Sequence, residues 1–372
     1  MTCRKIILPF FTVFLTASFA FGQSESLKSV VNNLAFYKQK KDLKYLTNAK
    51  KSVDSLFRTH ADSVDVAKNV YKVVVYSSIA YIDSLNKLKQ SGDFFLALCR
   101  QVDKLSSNRK IYRYQPEMDY AKRCLANVYM RRGFSYMHIS DYNGAIGCFQ
   151  NAHKYAPSFN ELNGYLAYAN SRLGNLTLAA KHYSEVLKTD STKAEYIEAA
   201  SNAYKSIGDT SKALQILQKG RKHLPDDKFL LLDEANIYNN RRDYHGLASI
   251  LPKLLDENGN NADITFIAAN CYDHLDILDK AESLYLHAIE LNSTNYDPVY
   301  NLGILYLKEG LRKHGDDSEK DIARSRQWLE KANEMSPNDV KCLQLLQMVY
   351  AQTGDHEQVD KINNKLKLLT NQ

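Results

Sequence analysis

Apolar residues recur along this chain in steps of three and four, the spacing at which one face of a helix meets a core. Leu43, Leu46, Ala49, Val53 and Leu56 make one such stripe. Val66 to Leu88 reads as a longer apolar helix and Phe94 to Leu105 as another, with breakers at Gly92-Asp93 and Ser106-Ser107-Asn108. Beyond residue 126 the stripes themselves repeat. At an offset of 34 the chain aligns Ala145, Ala179, Ala213, Leu247 and Ala281, and nine residues earlier Tyr136, Asn170, Tyr204, Tyr238 and Tyr272, continued by Tyr306 and Tyr350. Small residues (Gly133, Ala167, Ser201, Ala235, Ala269, Gly303) stand one helical turn before the tyrosine column. Large ones (Phe149, Tyr183, Leu217, Leu251, Tyr285, Leu329) stand one turn after the alanines. Each unit therefore reads as two short amphipathic helices whose crossing needs a small residue against a bulky one. Turn signals fall between the helices at Ser140-Asp141, Leu173-Gly174-Asn175, Gly208-Asp209 and Gly354-Asp355, and Pro157, Pro225 and Pro337 close their units. No β-type alternation of comparable strength is present, so the chain is expected to be all-α.

This order of residues resembles the tetratricopeptide repeat at its 34-residue period. The best copies run from Asn127 to Asn160 (Gly133, Tyr136, Ala145, Phe149, Ala152, Pro157) and from Glu195 to Lys228 (Ser201, Tyr204, Ala213, Leu217, Pro225). The resemblance covers residues 126–369 as seven units, the sixth enlarged by ten residues near 308–324. Departures occur at Asn170, where tyrosine is expected, at Arg132 and Glu234, where leucine is usual, and at Asn363. The resemblance implies a right-handed superhelical α-solenoid of helix-turn-helix repeats, with the first helix of each pair lining a concave groove. Residues 23–125 read as degenerate repeats that cap the array.

Residues 1–22 stand apart from that pattern. Arg4 and Lys5 precede an apolar run from Ile6 to Phe21, and Ala20-Phe21-Gly22 offers small residues where a signal peptidase reads them. Cleavage would leave Gln23 first, which excludes a lipid-modified cysteine, and would lower the formal charge from +7 to +5 by removing Arg4 and Lys5. The expected location is the periplasm or the exterior, with no membrane span in the mature chain. Five cysteines would remain (Cys99, Cys124, Cys148, Cys271, Cys342), an odd number without a CxxC framework. Cys271 and Cys342 fit small buried hydrophobes.

Catalytic chemistry is not legible. There is no HExxH, GxSxG, P-loop or dinucleotide glycine fingerprint, and ten scattered histidines form no metal-ligand pair, so neither cofactor nor metal is expected and the chain is read as no enzyme. What remains is surface. On the face that the resemblance makes concave, Asn202, Asn236 and Asn270 recur at the full period, with Asn239 and Asn301 beside them. An amide has one acceptor and two donors, the complement of a peptide unit. Phe229, Leu232, Phe266 and Tyr300 would supply apolar pockets alongside. A second feature is a local surplus of +6 over residues 100–132, an anion-attracting band that includes Arg109, Lys110, Arg113, Lys122, Arg123 and Arg131. Outside the cytoplasm nucleic acid does not fit it; acidic glycan, lipid headgroup or acidic protein does. Two functions stay open: an envelope scaffold or adaptor binding an extended peptide or protein partner in its groove, and a structural subunit of an envelope complex docked through convex or terminal faces.

Overall fold

The computed structural model describes residues 25–370, without the side chains of Ser26 and Thr370, so the signal-peptide reading of residues 1–22 lies outside the described residues. The helices in chain order are α1 (Glu25–Lys40), α2 (Leu43–Asp54), α3 (His60–Val64), α4 (Val66–Ile82), α5 (Phe94–Ser106), α6 (Gln115–His138), α7 (Tyr142–Tyr155), α8 (Glu161–Arg172), α9 (Leu176–Leu187) and α10 (Ala194–Ser206). They continue as α11 (Thr210–His223), α12 (Lys228–Asn240), α13 (Tyr244–Asn258), α14 (Ala262–His274), α15 (Leu278–Leu291), α16 (Tyr296–Arg312), α17 (Asp316–Met335), α18 (Val340–Gln352) and α19 (His356–Thr370). A 3-10 helix, Arg109–Tyr114, joins α5 to α6, and the described residues contain no strand. Two compact units divide between Gly208 and Asp209.

The first unit opens with α1 against α2 over a core of Leu27, Val30, Leu46, Ala49, Val53 and Ile79, so the predicted stripe on α2 is a buried one. Helix α4 packs on α2, α5 and α6. It stops at Ile82, short of Leu88. There the Asp83 carboxylate accepts the backbone N–H groups of Lys87 and Leu88, while Asn86 and Lys89 take positive φ and turn the chain away. Helix α6 runs straight through the expected boundary at residue 126, so the capping segment and the first full repeat share one helix. The hairpins α6/α7 and α8/α9 follow, with α10 packed on α9.

The second unit holds one continuous core from Leu231 to Ile362, built by the hairpins α12/α13, α14/α15, α16/α17 and α18/α19 with α11 at its start. Ala213, Leu247, Ala281, Leu251, Tyr285 and Leu329 are fully buried in this unit, as the columns require.

Six of the turns between helices close by one device, which the α16/α17 turn does not use. The residue that ends the first helix is left-handed at Ser140, Gly174, Gly208, Arg242, Asp276 and Gly354, all at positive φ. One residue later the backbone N–H reaches back to the tyrosine-column carbonyl: Asp141 to Tyr136, Asn175 to Asn170, Asp243 to Tyr238, Ile277 to Tyr272 and Asp355 to Tyr350, each 2.9 Å. These are Schellman-type closures that satisfy the last free carbonyls. Asp141, Asp209 and Asp243 then cap the second helix with their carboxylates.

Four of the six column tyrosines use their hydroxyls to tether a hairpin to the second helix of the one before it. Tyr204 lies 2.9 Å from the Ser184 hydroxyl, and Gln218 Nε2 donates to Tyr238 at 2.8 Å. Tyr306 donates to Glu282 at 2.6 Å and Tyr350 to Glu330 at 2.7 Å. Asn170, the exception, is buried and turns its amide onto its own helix, Nδ2 to the Leu166 carbonyl at 2.8 Å. Glu234, where leucine is usual, is buried but held by the Arg221 guanidinium at 2.5 Å, and Arg132 lies over the Phe95 ring at 4.3 Å.

The extra residues of the sixth repeat form no loop. They lengthen both helices: α16 has 17 residues and α17 has 20, against 13 and 14 in α14 and α15. A Cβ on Gly303 would meet Leu329 at 2.8 Å, and one on Gly310 would meet Ile322 at the same distance. Ser325 donates to the Gly303 carbonyl at 2.8 Å and Ser318 to the Gly310 carbonyl at 2.7 Å. The close crossing is thus made twice, one heptad apart.

Candidate functional site

Every residue expected in the groove falls on the first helix of a hairpin. Asn202, on α10, belongs to the first unit, where it is exposed. The others share the second unit: Phe229, Leu232, Asn236 and Asn239 on α12, Phe266 and Asn270 on α14, and Tyr300 and Asn301 on α16. Their common phase begins at the helix N-termini. Asp227 caps α12 through the N–H groups of Phe229 and Leu230, Asn261 caps α14 through Asp263 and Ile264, and Asn295 caps α16 through Asp297. Three caps spaced by one repeat start three helices at the same rotation, so equivalent positions present equivalent faces. On α12 the steps of three and four from Phe229 to Asn239 place all four residues on one face.

The apolar members are anchored on one side and open on the other. Leu232, Phe266 and Tyr300 pack against the core while remaining half-buried; the Phe266 ring stands 6.1 Å from Tyr285, and Tyr300 stacks on Tyr296 at 5.3 Å. Phe229, in the first turn of α12, is 72% exposed. Asn236 is exposed, and Asn239 and Asn270 are half-buried. No hydrogen bond within the described residues engages the side-chain amides of Asn202, Asn236, Asn239 or Asn270. Asn301 differs, because its Nδ2 donates to the Asp297 carbonyl of its own helix at 2.9 Å. Beside this face two ion pairs, one on buried Asp273 and one exposed, link α14 and the turn after it to α16. Asp273 accepts from Lys308 at 2.9 Å and from the Tyr285 hydroxyl at 3.3 Å, and Arg312 pairs with Asp276 at 2.6 Å.

The column of Asn236 and Asn270 continues as Ile304 and Met348, the latter 50% exposed. The sequence reading missed both. A ruler of one regular repeat finds Ile304 but steps past Met348, because the sixth repeat is enlarged; the step from Tyr306 to Tyr350 carries the correction. Along the second unit the face therefore grades from amide to apolar.

The basic band is spread over two elements, the 3-10 helix and α6. Arg131 donates to the α4 carbonyls of Tyr81 at 3.1 Å and Ala80 at 3.3 Å, so its guanidinium closes a helix C-terminus, and burial lowers its pKa. The residue ties α6 to α4 while remaining exposed. Lys122 and Arg123 are half-buried on α6, whereas Arg109, Lys110 and Arg113 are exposed on the 3-10 helix. None of these five makes an ion pair among the described residues. All five cysteines are free. Cys271 and Cys342 are fully buried, donating to the Tyr244 and Leu329 carbonyls, and burial raises each thiol to about 11.

No family model matches the chain. The general transcriptional corepressor trfA of Dictyostelium discoideum is 25% identical over 132 residues, which is 35% of this chain and 10% of that protein. Among solved structures, MamA is 20% identical with a TM-score of 0.41, covering 46% of this chain and 94% of its own. A tetratricopeptide repeat protein from Parabacteroides merdae is 16% identical with a TM-score of 0.39, covering 66% and 98%. YrrB, described as a TPR protein with an unusual peptide-binding site, is 19% identical with a TM-score of 0.42, covering 53% and 96%. At those scores the neighbours decide nothing beyond themselves. Its own buried columns, recurrent hairpin closures and regularly spaced caps give this chain the helical-hairpin repeat fold that the tetratricopeptide resemblance implies.

Proposed function

We propose that the chain is a non-catalytic scaffold of the bacterial envelope that receives an extended peptide or protein segment across the first-helix face of α12, α14 and α16. The observation that supports this is the pair Asn236 and Asn270, whose amides recur at the repeat period with no partner among the described residues, beside half-open apolar side chains anchored on the core. A free amide on a rigid helix is already oriented for a passing peptide unit. The rings of Phe229, Phe266 and Tyr300 gain by covering the side chains of whatever the amides hold. Such a face grips backbone more than it reads sequence.

The test uses the partner captured from the native envelope and measures its affinity for Asn236→Ala, Asn270→Ala and the double variant. Each single change is expected to weaken binding by about 1 to 2 kcal/mol, the range for a hydrogen bond lost on desolvation, with the melting temperature unmoved. A double variant that binds as tightly as the parent overturns the groove and leaves docking through outer or terminal faces.

A further inference from the structure

The 3-10 helix between α5 and α6 is built to present charge. With three residues per turn its side chains eclipse at i and i+3, giving three columns. Ile111 and Tyr114 form one, and both pack on the core of the first unit. The other two are consequently outward: Arg109 with Tyr112, and Lys110 with Arg113, all four exposed. Asn108 caps the turn through the Lys110 N–H at 2.9 Å, which ties its start. Tyr112 is 67% exposed, and its hydroxyl accepts from Arg113 Nε at 3.0 Å with the guanidinium 5.6 Å from the ring centroid. The acids nearest in sequence are engaged elsewhere or set back: Asp103 pairs with Lys154 at 2.7 Å, Asp119 accepts from Gln115 at 2.7 Å, and Glu117 is half-buried on α6.

We infer that this turn is a docking point for an anionic lipid surface. A bilayer carrying acidic headgroups asks for a dense, unpaired cluster of cationic side chains with an amphipathic ring among them, and for no shaped pocket. Arg109, Lys110, Tyr112 and Arg113 supply that: three cations without an ion pair among the described residues, and one exposed ring. An acidic polypeptide is the competing ligand, and it would be met by charge alone, leaving the exposed ring without a role. The inference is independent of the amide-lined face, which lies in the other unit.

The experiment floats the chain from Gln23 onward, which contains every described residue, with vesicles of phosphatidylcholine alone or doped with phosphatidylglycerol. Binding to the doped vesicles alone, falling as salt rises, is expected. Each basic group near an anionic surface is worth about fivefold, so Arg109→Gln, Lys110→Gln and Arg113→Gln together should weaken binding roughly a hundredfold, and the three glutamate substitutions further. Tyr112→Ala should weaken it severalfold without altering the salt dependence. Because all four side chains are exposed, unchanged thermal midpoints will show that the variants fold. Equal flotation of parent and triple variant, absence of binding to the doped vesicles, or soluble polyglutamate bound as tightly as the vesicles overturns the lipid assignment.

Discussion

Individual residues in this protein are chosen for the turn or tether they make as much as for the surface they bury. Six hairpin closures need a left-handed residue, yet glycine supplies only three; Ser140, Arg242 and Asp276 adopt the conformation against their Cβ. Arg242 is exposed and its side chain makes no hydrogen bond or ion pair among the described residues, so Arg242→Gly should raise stability by about 0.5 to 1 kcal/mol, and Gly174→Ala should lower it by about as much. Chemical denaturation of the two variants checks both signs. The buried thiols make a second, pH-dependent expectation. Burial lifts Cys271 and Cys342 from 9.0 to about 11, so folding favours the protonated thiol. That stabilisation is complete below pH 9 and is lost as pH climbs toward 11. Alkylation of the native protein at about pH 8, below the ordinary thiol range, should spare both, with labelling appearing only on unfolding; rapid labelling there would contradict the buried placement.

At the scale of elements, the periodic columns made the repeats legible, because packing within a hairpin sets a small residue against a large one, as Gly303 meets Leu329. Ala213, on α11, lies fully buried. Ala213→Trp should overfill that site and cost about 1 to 3 kcal/mol or more, and a denaturation midpoint that does not move would deny the column its packing role. Legibility failed where local chemistry overrode the period. Leu88 continues an apolar pattern, but the Asp83 carboxylate captures its N–H and ends α4 early. The tether that exposed Arg131 makes to the α4 carbonyls was not legible, because nothing in its sequence neighbourhood shows α4 packed beside it. The amides of Asn236 and Asn270 were placed on the right face by spacing alone, whereas the commitment of Asn301 to its own helix depends on a rotamer that no spacing reveals.

For the molecule as a whole, stability within each unit is close to a sum over neighbouring hairpins, since each buries its apolar face against the next. The mature chain is expected to begin at Gln23 and to be recovered outside the cytoplasm. N-terminal sequencing of native protein with fractionation checks this, and a retained Met1 in the cytoplasm would sink it. One feature of the array obeys a different measure. In the α16/α17 hairpin, Gly303, Ser325 and Leu329 are matched by Gly310, Ser318 and Ile322, displaced by one heptad along each helix. A close contact that recurs after seven residues follows the period on which coiled-coil seams are built. The chain therefore carries two rulers at right angles. Growth by a whole repeat adds a rung to the ladder, while growth by a heptad on each strand lengthens a single rung and leaves the spacing of the others untouched.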